Sequence, residues 1–162
     1  MGLNEAKDLE NVINELKNKY GVSKFNLWGR SMGAVTAILY ASKNPFNIKK
    51  MVLDSPFSNF KKLVKEIVNS RTGLPEFLYG SVLTKIESDI LKKTSRNLME
   101  IDLKKNISSK GMQNIPCLFL ISKEDKLVHP SHVEELYESH KGQKKILYLE
   151  GSHNKPRPTE IR

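Results

Sequence analysis

The stretch Leu27-Trp28-Gly29-Arg30-Ser31-Met32-Gly33-Ala34 constrains this chain more than any other. An apolar run arrives at Gly29, a serine stands between two glycines, and a helix-forming run leaves. That order reads as a strand turning abruptly into a helix, with Gly29 and Gly33 letting the two backbones approach without side chains colliding. A serine at the tip is held in a strained conformation with its hydroxyl presented outward. The departing helix points amides at the same place, which favours negative charge there. Ser31 is thus a candidate nucleophile and the Met32 amide a candidate oxyanion donor. The bland alternative is a small polar residue in a tight turn.

The surrounding pattern supports the strand-to-helix reading. Leu9, Val12, Ile13, Leu16 and Tyr20 recur at helical spacing, predicting a helix over about 5–20 closed near Gly21. A strand is expected at Lys24 to Trp28 and a helix from Met32 to Ser42, stopped by Asn44-Pro45. Lys50 to Leu53 reads as a short buried strand leading into the loop Asp54-Ser55-Pro56-Phe57. Helices are expected over about 58–70 and 75–94, separated by Arg71-Thr72-Gly73 with Pro75 near the second start, and 95–115 reads as polar and irregular. A strand at 117–121, a helix over about 130–140, a strand at 146–149 and a polar tail from Gly151 to Arg162 complete the chain. Strands that alternate with helices and are continuously apolar predict an α/β fold, a parallel sheet covered by helices on both faces. The stretch 70–110 is longer than a plain crossover, and a small helical, lid-like insertion is expected over about 58–110 within one incomplete domain spanning 1–162.

A serine at neutral pH needs a base, and the base needs an orienting acid. His153 lies just past the last strand, in Gly151-Ser152-His153-Asn154, and Asp125 just past the strand before it, in Lys123-Glu124-Asp125-Lys126. Both fall where an open parallel sheet keeps its cleft, at the C-terminal ends of strands. Glu124 competes with Asp125, and Asp54, which also follows a strand, is the other candidate acid. His153 is otherwise a loop histidine. His129, His132 and His140 lie in or beside one predicted helix and read as surface or packing residues. The spacing of His129 and His132 invites a metal reading that no carboxylate or cysteine cluster supports. Arg157 is a candidate for holding the tail in place.

Composition narrows the function classes. The formal charge is +9, yet the lysine pairs at 49–50, 61–62, 92–93, 104–105 and 144–145 are scattered, with no basic stripe interleaved with aromatics. No nucleic-acid partner is expected. No apolar run approaches the length of a membrane span, and the N-terminus has no signal pattern. Cys117, the one cysteine, sits in an apolar run and suits a reducing, cytoplasmic setting.

Together, Leu27 to Ala34, the loop Asp54-Ser55-Pro56-Phe57, and His153-Asn154 followed by Arg157-Pro158 resemble the α/β-hydrolases, in the branch of serine hydrolases near the S33 and prolyl-oligopeptidase-like peptidases. The resemblance runs from about Asn4 to Pro158. It implies Ser31 as nucleophile, His153 as general base, Asp125 as orienting acid and Met32 as one oxyanion donor, acting on a small-molecule, acyl or peptide substrate (an ester, thioester or amide) with no metal or organic cofactor. It also implies a second oxyanion donor on a loop after an earlier strand, usually with a His-Gly signature, but no His precedes His129. The expectation is therefore a partial fold carrying the C-terminal half, with the strand at Lys24 to Trp28 left as an exposed edge open to association. A non-catalytic binding or regulatory module built on that half-fold is the alternative.

Overall fold

The structure, a computed structural model, describes residues 2–72, 76–94 and 97–158. The predicted break at Gly73, the helix start near Pro75 and the last four residues of the tail lie outside the described residues. Helix α1 (Leu3–Tyr20) buries Ile13 and ends at Gly21, whose left-handed conformation (φ 67°) lets its amide donate to the Lys17 carbonyl. Strand β1 (Phe25–Arg30) runs into the corner, and α2 (Met32–Lys43) leaves it. After a 3-10 turn at Pro45–Asn47 come β2 (Ile48–Asp54), α3 (Phe60–Thr72) and α4 (Tyr79–Thr94). A short helix α5 (Leu103–Ile107) precedes β3 (Cys117–Ser122), and α6 (Pro130–Ser139) and β4 (Lys144–Leu149) follow.

The four strands form one parallel sheet in the order β1-β2-β3-β4, flanked by helices. Each crossover steps to the next strand in the same direction. Right-handed crossovers that all move one way place their helices on one face. The packing follows: α2 lies on β1 and β2, α6 on β3, α5 touches both α2 and α6, and α1 stacks on α2. Helix α2, enclosed by the sheet, α1 and α5, is buried continuously from Ala34 to Ala41, which explains why its sequence is apolar all round. Met51, Leu53, Cys117 and Phe119 point into this layer and are fully buried. The cover is uneven, because the opposite face has Trp28 half exposed and Lys50 and Lys145 exposed around half-buried Val52 and Leu118. At its upper end Arg157 bonds Asp54, and with Trp28, Arg30 and Pro156 the pair lines a hollow on this face. Strand β1 is an edge of the sheet.

The segment expected to be polar and irregular is neither solvated nor peripheral. Leu98, Met99, Ile101, Leu103, Ile107, Met112 and Ile115 are all buried in the main core, carried on two 3-10 turns and α5. Asn97 and Asp102 cap these turns, their side chains accepting from the Met99 and Lys104 amides. By contrast α4 has no fully buried residue; it stacks on α3 and on the turn at Leu98–Glu100.

Candidate active site

All strands of a parallel sheet end on one rim, so the loops after β1, β2, β3 and β4 converge there. Ser31 follows β1 with φ 50° and ψ −117°, a left-handed conformation that side chains other than glycine rarely adopt. Its amide donates to the Asp54 carbonyl at 2.7 Å, which fixes the corner against the end of β2. Its own carbonyl accepts from Ala34 and Val35, starting α2. First-turn amides have no acceptor within a helix, so those of Met32 and Gly33 lie at the tip of α2 without an intrahelical partner. The two glycines are not equivalent. A Cβ at Gly29 would sit 2.3 Å from the Gly33 backbone, whereas one at Gly33 would meet nothing within 4 Å. Only Gly29 is required by close approach.

Asp125 and His153 come together. The Asp125 side chain is 1% exposed, and its Oδ2 accepts from His153 Nδ1 at 2.5 Å. Its Oδ1 accepts from the amides of Leu127 and Val128 at 2.9 and 2.8 Å. Burial by itself would raise the carboxyl pKa; the bonds from His153, Val128 and Leu127 outweigh it and hold Asp125 below its ordinary value. A carboxylate acceptor puts the imidazole proton on Nδ1 and leaves Nε2 with a lone pair. Such an arrangement is chemically able to take a proton from a neighbouring hydroxyl and return it. Ser31 stands on the same rim, with no hydrogen bond from its hydroxyl to the imidazole. The two loops are joined instead through Arg30, whose Nη2 donates to the carbonyls of His153 and Lys155, the latter at 3.1 Å.

Asp54, the other candidate acid, is occupied. Its carboxylate takes a bidentate pair from Arg157, Nη2 to Oδ1 at 2.7 Å and Nε to Oδ2 at 2.8 Å, with both side chains buried. The neighbouring Ser55 is a second serine at positive φ (51°), its hydroxyl donating to Asp54 at 3.0 Å. Glu124 lies on the cleft wall rather than against His153. That cleft, about 630 Å³, is lined by Ile67, Ser70 and Arg71 of α3 and by Leu127, His153 and Asn154. Helix α3 therefore stands at the rim.

The histidines read as surface or packing residues divide. His129 caps α6, accepting from the Ser131 amide. His140 is buried against Phe119. His132 is fully buried and joins α6 to α3: Nδ1 accepts from the Ser58 amide at 3.2 Å, and Nε2 reaches Glu66 at 2.9 Å. Ser58 also donates to Glu135, which pairs with Lys62 at 2.6 Å. This network leaves little local trace in the sequence, because its two halves lie 66–77 residues apart. The only local signal was a histidine on the apolar side of an amphipathic helix.

Comparison with known proteins places this geometry. The model of a family described as the alpha/beta hydrolase fold matches residues 4–107. The Bacillus subtilis (strain 168) protein YqkD is 30% identical over 158 residues, covering 94% of this chain and 49% of its own. The esterase Pf2001 of Pyrococcus furiosus superposes with a TM-score of 0.67 at 25% identity, covering 94% of this chain and 55% of the esterase. Acetyl xylan esterase 1 of Thermoanaerobacterium gives a TM-score of 0.65 at 18% identity, covering 99% of this chain and 49% of that one. The chain spans about half the length of these proteins.

Proposed function

The chain belongs to the alpha/beta hydrolase fold family, and from that premise we propose that it is a serine hydrolase acting on an ester, thioester or amide. The observation that carries the reading is the buried His153–Asp125 pair, 2.5 Å apart, on the rim where Ser31 is held at positive φ. Ser31 Oγ attacks the substrate carbonyl carbon while His153 Nε2 takes the hydroxyl proton, and Asp125 stabilises the resulting imidazolium. The carbonyl oxygen becomes an oxyanion facing the Met32 amide. His153 then returns the proton to the departing alcohol, thiol or amine, leaving an acyl-serine. Water deacylates it by the same relay in reverse, so the cycle balances without a metal or organic cofactor. Helix α3, with Ile67 on the cleft, forms one wall of the acyl pocket. The similarity to the Pyrococcus esterase favours esters; the resemblance to prolyl-oligopeptidase-like enzymes extends the classes to peptides. Cys117, buried, with its thiol pushed up to about 12, is inert and suits a reducing compartment such as the cytoplasm.

The test is labelling with a fluorophosphonate probe, with Ser31→Ala and heat-denatured protein as controls. One adduct, lost in both controls, is the expected result. Labelling that survives Ser31→Ala, or none on a folded chain, overturns the reading. In the second case the edge strand β1 and half-exposed Trp28 favour the other reading, a module that binds a partner along that edge.

A further inference from the structure

His153 sits on a loop, and a loop histidine serves a nucleophile only if something fixes its distance from it. Asp125 orients the ring, but it belongs to the loop after β3, and its carboxylate bonds His153 and the amides of its own loop. The link between the histidine loop and the Ser31 corner is a group of three charged residues. Asp54 ends β2, and its main-chain carbonyl accepts from the Ser31 amide at 2.7 Å. Its carboxylate receives both forks of Arg157, four residues past His153, and lies 3.6 Å from Arg30 Nε. Arg30, the residue before Ser31, donates to the carbonyls of His153 and Lys155. Arg157 reaches the Lys155 carbonyl as well, at 3.4 Å. One buried carboxylate thus holds two guanidinium groups, one from the nucleophile corner and one from the histidine loop, and both grip the backbone of the same turn.

We propose that Asp54, Arg157 and Arg30 form a latch that sets the reach of the His153 ring toward Ser31, and are positioning residues for the reaction. The proposal rests on the reading of Ser31 and His153 given above. The choice of residues fits the task. An apolar staple would bury the tail equally well but would let it slide, whereas a bidentate guanidinium–carboxylate pair fixes both distance and angle. None of the three touches the reacting atoms. They act through the backbone of residues 153–155, so their loss misplaces the imidazole while leaving its bond to Asp125 available.

The test compares wild type with Arg157→Lys, which keeps the charge and removes the fork, and with Arg30→Gln. Two readouts are taken on protein shown to be folded by near-ultraviolet circular dichroism. The first is the rate of fluorophosphonate labelling per folded molecule. A displacement of about 1 Å costs up to about 100-fold, so a fall of about 10- to 100-fold is expected in Arg157→Lys. The second is proton NMR of the His153 Nδ1–H, which reports the ring's surroundings whether or not the protein is active; its resonance should shift or broaden in both variants. Unchanged labelling together with an unchanged Nδ1–H signal in folded Arg157→Lys overturns the latch, as does a loss of thermal stability with the rate per folded molecule intact. Should wild type itself not label, the nucleophile reading falls, and the Nδ1–H signal alone decides whether these residues fix the ring.

Discussion

Strands β2 and β3 lie side by side, end on one rim, and each deliver a buried aspartate there: Asp54 as the last residue of β2, Asp125 three residues beyond Ser122. In sequence the two are alike, an acid after an apolar run. In space their partners differ in kind. Asp54 faces a guanidinium that never loses its proton and binds through two parallel bonds, so it is held in one state. Asp125 faces an imidazole whose second nitrogen remains able to take and return a proton. Position after a strand settles where a carboxylate sits; the partner settles whether it is held in one charge state or faces a group able to exchange a proton.

The largest effect should come from Asp125→Asn. Asparagine can still accept from the Leu127 and Val128 amides, so the turn survives, but His153 loses its anionic partner and the tautomer it enforces. A fall of about 10,000-fold in the fluorophosphonate labelling rate is expected, by analogy with the equivalent change in serine proteases. A fall under tenfold would reduce Asp125 to a turn residue and break the contrast with Asp54.

Asp54→Asn should show the opposite balance. The Arg157 side chain, 5% exposed, would be left without its counter-charge, at a cost of about 3–5 kcal/mol in unfolding free energy. Urea titration measures it. Labelling per folded molecule should fall far less than in Asp125→Asn. The reverse ranking would exchange the roles of the two acids.

The sequence alone does not distinguish the two acids, for a physical reason. A strand end predicts a rim position for each, and nothing local distinguishes them, because Arg157 is 103 residues from Asp54 and His153 is 28 from Asp125. The strands, the corner and the loops bearing Ser31, Asp125 and His153 were legible, since each rests on a run of neighbouring residues with one period. The core contribution of residues 98–115 was not. Met99, Ile101, Leu103, Ile107 and Met112 ride on alternating 3-10 and α turns, so their spacing starts at two (99, 101, 103), changes to four (103, 107) and then five, and no single period lasts long enough to be read. His132 was hidden for a related reason: a helix face shows that it is buried, but not which residues meet it.

Acid should separate the rim from the seam between α3 and α6. His132 is lowered chiefly by burial, with Lys62 adding to this and Glu66 and Glu135 opposing it; Lys104 also lies within reach of Glu135. A lowered base binds fewer protons folded than unfolded, so its cost appears as pH falls below the unfolded value of about 6.5 and grows down to the folded value. Asp125 is lowered as an acid, so its stabilisation persists to about pH 4 and is lost as pH falls through its folded value. Between pH 6.5 and 4.5, hydrogen-exchange protection factors in α3, taken relative to the intrinsic rate at each pH, should fall before those of Leu127 and Val128 do. That fall should be absent in His132→Gln. Simultaneous loosening would mean that the seam and the rim unfold as one unit.

The smallest effect concerns the corner, where two glycines look alike in sequence and differ in surroundings as the two aspartates do. Gly29 has the Gly33 backbone where its Cβ would stand, and no side chain fits there without moving strand or helix. Gly33 lies in the first turn of α2, outside the glycines with positive φ, and a Cβ there points into open space. Alanine restricts the unfolded chain more than glycine does and suits a helix better, so Gly33→Ala should raise the unfolding free energy by about 0.4–1 kcal/mol. Urea titration resolves a change of that size. A loss instead of a gain would mean that Gly33 must yield when strand and helix breathe against each other, and that the corner depends on both glycines, not on Gly29 alone.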